Sequence, residues 1–305
     1  MNDQRRSFKI ALLALGLCHL VYFCLAKSGE TLGIAGLLYA NGSPVGGDFI
    51  NLWSAARLVL AARTSEIYDV DQFMSHVQTL TGAATGLRIW AYPPHSLLVI
   101  WPFGLVGFYA ALGIWSEAGL AVLFLGARRF GFDRLETGII LTSPATVLNF
   151  YYGQSGSFAA GLLLLALSPR KEHDPLPVGA AALLTLKPQT GFLLPVLWLF
   201  QRRWWMIAAT AVASLALIGL AVAVFGAGSW RDYITDTLPM LGLLERQGSG
   251  PFIAMIPSAF MALRILPAMP IWRSLCTPAL PRPSQSCSSS ACGGFRITCG
   301  AAPSS

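Results

Sequence analysis

The 305-residue chain is 54% hydrophobic and 11% charged, with mean hydropathy +0.59, against the roughly 25% charged residues of a water-soluble globule. A soluble enzyme is excluded, and an integral membrane protein is expected. The formal net charge of +7 comes as pairs of basic residues between apolar runs, the pattern of cytoplasmic membrane loops, and so reports orientation and not a nucleic-acid partner.

Arg5, Arg6 and Lys9 precede an apolar run over residues 10–26 that also holds Cys18. This run reads as an uncleaved first span, because no small-x-small cleavage site follows it and further spans do. The positive-inside rule then places the N-terminus in the cytoplasm and residues 27–92 outside. Within that exoplasmic loop, Phe49, Trp53, Ala56 and Leu60 recur at helical spacing with Arg57 and Arg63 off the stripe, which predicts an amphipathic helix lying on the membrane. A second is expected from residue 66 to 80, with Tyr68, Phe73, Val77 and Leu80 opposing Asp69, Asp71 and His76. Asp69-Val70-Asp71 reads as its solvated face and not as a metal motif.

The first polar island is Gly46-Gly47-Asp48, just ahead of the first amphipathic helix. Paired glycines supply a sharp turn and let a neighbouring chain approach, and Asp48 suits either a helix cap or a general base. The second is Arg88-Ile89-Trp90-Ala91-Tyr92-Pro93-Pro94-His95. Beyond it, basic clusters fall at Arg128, Arg129 and Arg134, at Arg170 and Lys171, and at Arg202 and Arg203. A pair of apolar runs lies between successive clusters, 137–152 with 154–168 and then 175–186 with 188–201, so each pair reads as a hairpin whose ends are cytoplasmic.

The hairpin tips, carrying Gln154 and Lys187, therefore face the side of Asp48 and Tyr92. These runs are shorter than the ~20 residues of a full helical span, which is tolerated where helix ends open into a cavity or pack in protein. Lys187 near membrane depth implies either an anionic partner or a side chain that snorkels to the interface. Between Tyr92 and Arg128, parity demands one net crossing, made by three short segments or by one interfacial piece and one span. Residues 206–228 form a full uncharged span, and a last apolar run covers about 251–266. From 271 to 305 the chain turns to serine, cysteine and proline, with Cys276, Cys287, Cys292 and Cys299 but no acidic residue and no lysine. That composition builds no core, and a disordered or frame-shifted tail is expected. Neither a zinc-ligand spacing with histidine nor a disulfide framework is read from the cysteines.

The ordered motifs, Gly46-Gly47-Asp48-Phe49, then Glu66-Ile67-Tyr68-Asp69, Tyr92-Pro93-Pro94, Gly153-Gln154 and Leu186-Lys187-Pro188, resemble glycosyltransferase family 87 over about residues 8–266. That family belongs to the C-type superfamily and includes polyprenol-phosphomannose-dependent α-1,2-mannosyltransferases. The resemblance implies an all-α polytopic membrane protein, a C-type glycosyltransferase-like helical bundle over residues 1–270 with exoplasmic juxtamembrane amphipathic helices. It further implies transfer of a hexose, mannose-like, from a polyprenyl-phosphate donor to a lipid or glycan acceptor on the outer face, with inversion. Asp48 matches the family's proposed general base. Lys187, Arg88 and His95 are the candidates for the donor phosphate, with Gln154 and Tyr92 beside the sugar or phosphate. No metal or other cofactor is implied. Family members run longer, so a C-terminally truncated chain is expected, and an inert product is one alternative. A glycolipid or amphipathic-anion transporter is another, suggested by the likeness of Gln154-Ser155-Gly156 to Gln189-Thr190-Gly191.

Overall fold

The computed structural model describes residues 2–168, 174–248 and 259–265. It is 78% helical, with no strand among the described residues. Two compact units divide at Thr237. The second contributes two described helices, Leu238–Gln247 and Ala259–Ile265. The expected serine- and cysteine-rich tail and most of the apolar run ending at 266 lie outside the described residues.

Among the described residues three helices are long and apolar enough to cross a membrane, beginning at Asp3, Phe108 and Trp204. The first lies within α1 (Asn2–Leu32), which overshoots the apolar run at both ends. The short amphipathic helices follow as α2 (Phe49–Leu60) and α3 (Val70–Thr81). α3 starts later than its apolar periodicity suggests. Asp69 accepts a hydrogen bond from the Gln72 amide at 2.9 Å, fixing the N-cap there, while Glu66 sits in a separate 3-10 turn and pairs with Arg63. Such a carboxylate cap satisfies an orphan amide of the first turn, and that local gain overrides a pattern that would carry the helix further back. Between Tyr92 and Arg128 the chain makes a broken short helix α4 (Pro94–Leu105) and then one long helix α5 (Phe108–Phe130).

α6 (Arg134–Leu141) and α7 (Pro144–Tyr151) are one apolar run broken where Ser143 caps and Pro144 starts a new helix. α8 (Gly156–Leu167), α9 (Pro175–Leu184), α10 (Leu193–Phe200) and α11 (Trp204–Asp232) follow, the last kinked at Gly226. α5 and α8 cross in close contact. A Cβ on Gly126 would lie 2.4 Å from the Gly161 carbonyl oxygen, and one on Gly161 2.5 Å from that of Val122. Glycine at both positions lets two helix backbones touch, the usual device where lipid offers no hydrophobic drive for helix association.

One end of the first unit is ionic. Lys9 Nζ reaches Asp133 at 2.6 Å and Glu136 at 2.8 Å, while Arg129 holds Asp174 at 2.5 Å. The start of α1, the turn after α5 and the start of α9 therefore share that end. Beneath the opposite end lies an aromatic-rich core of Phe49, Tyr68, Phe73, Trp90, Phe108 and Trp115. A smaller cluster, built on Leu165, Ala181, Leu184, Trp198 and Met206, joins α8 to α11.

Candidate active site

Two glycine turns interlock to make the site. Gly46 and Gly47 have φ of 63° and 49°, and Gly153 has φ of 55°. A Cβ on Gly153 would come within 2.6 Å of the Phe49 Cβ and 3.0 Å of the Gly46 carbonyl. The left-handed backbone and the missing side chain are both needed for this contact. Trp115, buried in the core, fixes the second turn by donating Nε1–H to the Gly153 carbonyl at 3.0 Å.

The interlock sets Gln154 against Asp48. Asp48 stands at the N-cap of α2, yet its side chain makes no capping bond and its backbone is helical, with φ −78° and ψ −13°. Instead its Oδ2 accepts from Gln154 Nε2 at 2.9 Å. The carboxylate is 61% exposed, and the Arg88 guanidinium, only 16% exposed, lies 4.0 Å from Oδ1, the outer limit of an ion pair. Arg88 Nε is anchored to the Thr85 carbonyl. Burial draws the Arg88 pKa down and the Asp48 charge partly restores it. Asp48 is thus oriented by an amide and faced by a cation, with one oxygen left open to solvent.

Ser155 continues the line. Its Oγ accepts from Lys187 Nζ at 3.2 Å and is 2.9 Å from the Tyr92 hydroxyl. Tyr68 in turn donates to the Tyr92 carbonyl. Burial lowers the Lys187 pKa below the usual lysine range, opposed by the charge of Asp48. Among the described residues no carboxylate lies within ion-pair distance of Lys187, so this cation is held by a single hydroxyl. Burial also raises the Tyr92 pKa, against the bond to Ser155, and the phenol stays neutral.

Beside Lys187, Tyr92 and Ser155 opens a cavity of about 230 Å³ whose remaining walls are almost wholly apolar, including Ile100, Phe158, Leu162 and Leu184. An apolar recess closed at one end by an unpaired ammonium suits an amphipathic anion. Gln154 and Arg88 therefore meet Asp48, and Tyr92 and Lys187 meet at Ser155, the residue after Gln154. His95 does not join them. It is 3% exposed, with Nε2 3.1 Å from Thr185 Oγ1 and its ring stacked on Trp230 at 5.5 Å. Ser155 is the member that the candidate set omits, because a serine beside Gln154 at a helix start carries no signal apart from the lysine that folding brings to it.

The model of glycosyltransferase family 87 matches residues 90–281, more than half of the chain. The match takes in Tyr92, Gln154, Ser155 and Lys187, extends past position 270, and begins after Asp48 and Arg88. No curated protein and no solved structure matches the chain.

Proposed function

We propose, for a chain that belongs to glycosyltransferase family 87, the transfer of a hexose from a polyprenyl-phosphate donor to a hydroxyl of a lipid or glycan acceptor, with inversion. A membrane glycosyltransferase requires a sugar donor and an acceptor; the lipid-phosphate donor, the outer face and the role of Asp48 are our reading. The observation that carries it is Asp48, released from capping and oriented by Gln154, whose neighbour Ser155 lines an apolar cavity together with Lys187.

In this reading the first isoprene units lie in the cavity and the donor phosphate meets Lys187, Arg88 and the Tyr92 hydroxyl. The acceptor hydroxyl attacks the anomeric carbon from the face opposite the phosphate while Asp48 takes its proton. The bond from the anomeric carbon to the phosphate oxygen breaks, its electron pair leaving with the polyprenyl phosphate. Fixed cations aimed at that departing oxygen stabilise the transition state more than the ground state. His95 acts at one remove, holding Thr185 and hence the end of α9 that presents Lys187. The ionic end of the unit, carrying Lys9 and Arg129 beside Arg128 and Arg134, supports a cytoplasmic placement for that end and an exoplasmic one for Asp48.

The test is transfer from a radiolabelled polyprenyl-phosphate hexose by the purified protein. The variant Asp48→Asn should lose roughly 10²- to 10⁴-fold in turnover, the usual contribution of a positioned general base. Normal turnover by that variant removes the proposed base. Movement of the lipid across a vesicle wall without any glycosidic product would favour a transporter instead.

A further inference from the structure

The turn between α7 and α8 touches three chemically distinct environments in sequence. Ser155 meets the Lys187 end of the cavity, Gln154 holds Asp48, and Tyr152 lies against Gly47, the residue before Asp48. A Cβ on Gly47 would be 3.0 Å from the Tyr152 ring. The backbone from 152 to 155 spans at most about 10 Å even when extended, comparable to one sugar ring on either side of the carboxylate. Tyr152 is 37% exposed.

Behind Tyr152 stands a cluster to which the donor site assigns nothing. Tyr151 packs edge-on against Tyr152 and face-on against Tyr39, with centroids at 5.0 and 6.0 Å. Its hydroxyl donates to Glu30 Oε2 at 3.1 Å, and Lys27 Nζ binds Glu30 Oε1 at 2.7 Å. Lys27 also lies over the Tyr151 ring at 5.7 Å. Both partners of the ion pair remain part-exposed, leaving N–H donors on Lys27 and lone pairs on Glu30 uncommitted. The cluster is therefore neutral overall, rich in donors, acceptors and ring faces. An anion entering it would meet the Glu30 carboxylate, and a plain hydrocarbon would leave the pair unsolvated. A ring bearing hydroxyls and C–H faces satisfies both.

We propose that Tyr152, Tyr151, Glu30 and Lys27 form the acceptor subsite, and that it takes an uncharged carbohydrate ring. The proposal rests on the transferase reading above. It deepens that reading by placing the acceptor against Tyr152 and Gly47, the latter next to Asp48 in the chain.

The experiment is equilibrium binding, without donor, of octyl α-mannopyranoside and methyl α-mannopyranoside to the full chain in nanodiscs, with octanol as the control lacking sugar. Tyr152→Ala should weaken binding of the octyl glycoside about tenfold, as loss of a ring contact implies, and Tyr152→Phe should restore it. Glu30→Gln should weaken it by a similar factor, about tenfold, through loss of charge-assisted hydrogen bonds. Binding of both glycosides supports a glycan acceptor, and binding of the octyl glycoside alone supports the headgroup of a glycolipid. The proposal is overturned if the wild type binds neither glycoside, if octanol shows the same dependence on Tyr152, or if both variants bind as the wild type does. A merely structural cluster would lower the melting temperature of Glu30→Gln and leave glycoside affinity unchanged, which also overturns it. Glycoside binding by a wild type that shows no transfer would sink the transferase reading and the acceptor role with it, leaving a carbohydrate-binding site at Tyr152.

Discussion

Lys187 and Lys27 flank the same glycine turn and stand in opposite electrostatic states. Lys27 is part-exposed and neutralised by Glu30 at 2.7 Å. Lys187 is more deeply placed, bound to one serine hydroxyl, and has only the more distant Asp48 charge to offset its desolvation. A cation paired with a carboxylate closes a structure. A half-buried cation without a carboxylate costs free energy until an anion arrives, so in the proposed reading Lys187 marks where charge enters with the substrate and Lys27 where it does not.

The largest break in that contrast is Lys187→Met. Removing a half-buried cation that meets the donor phosphate in the proposed reading should cost about 100-fold in kcat/KM for the donor, the scale of a lost charge-assisted hydrogen bond. Initial rates over a donor series give the number, and a loss below threefold would put the phosphate elsewhere. Lys27→Met should differ in kind. It should leave kcat/KM for the donor near the wild-type value and weaken glycoside binding at the proposed acceptor subsite, while the part-exposed pair it breaks, worth about 0–1 kcal/mol after solvent screening, shifts the melting temperature only slightly.

The second test is pH. The folded pKa of Lys187 lies below the ordinary lysine value, so the unfolded chain binds more protons through the window between the lowered value and about 10.5. Stability from this group therefore rises with pH across that window. Donor binding needs the ammonium and moves the other way, weakening about tenfold per pH unit once the amine is neutral. Donor KM measured up to the alkaline end should show this limb, and Lys187→Arg should abolish it. A limb that persists in the arginine variant belongs to another group.

Much of this arrangement is legible before folding, and the exceptions share a cause. The three long helices, the two hairpin tips and the polar company of Asp48 follow from apolar run length and from the breaks between runs. Whether Asp48 caps or stays free is not legible, since a capping aspartate and a free one share the same local sequence; the bond from Gln154, 106 positions away, turns the carboxylate from the cap. His95 is misleading for the matching reason. Its neighbours Tyr92 and Ser96 line the cavity, but the imidazole in the 3-10 turn lies against Thr185 and Trp230. The cluster at Lys27 is hidden because Glu30 meets Tyr151 across 121 positions, and a Lys-x-x-Glu pair on a helix is ordinarily surface decoration.

Ser155→Ala gives the smallest expected effect and the finest discrimination. The serine touches no reacting atom in the proposed mechanism; it positions Lys187 and Tyr92 through one oxygen. Losing a hydrogen bond of about 1 kcal/mol should raise donor KM about fivefold. The same oxygen accepts from the ammonium and so favours the charged form of Lys187, which means its removal lowers that pKa further. The alkaline limb should therefore move to lower pH in Ser155→Ala and return in Ser155→Thr. A packing defect alone would raise KM evenly across the profile, so a limb that stays in place would show that Ser155 does not govern the lysine, and the contrast between the two lysines would then rest on burial alone.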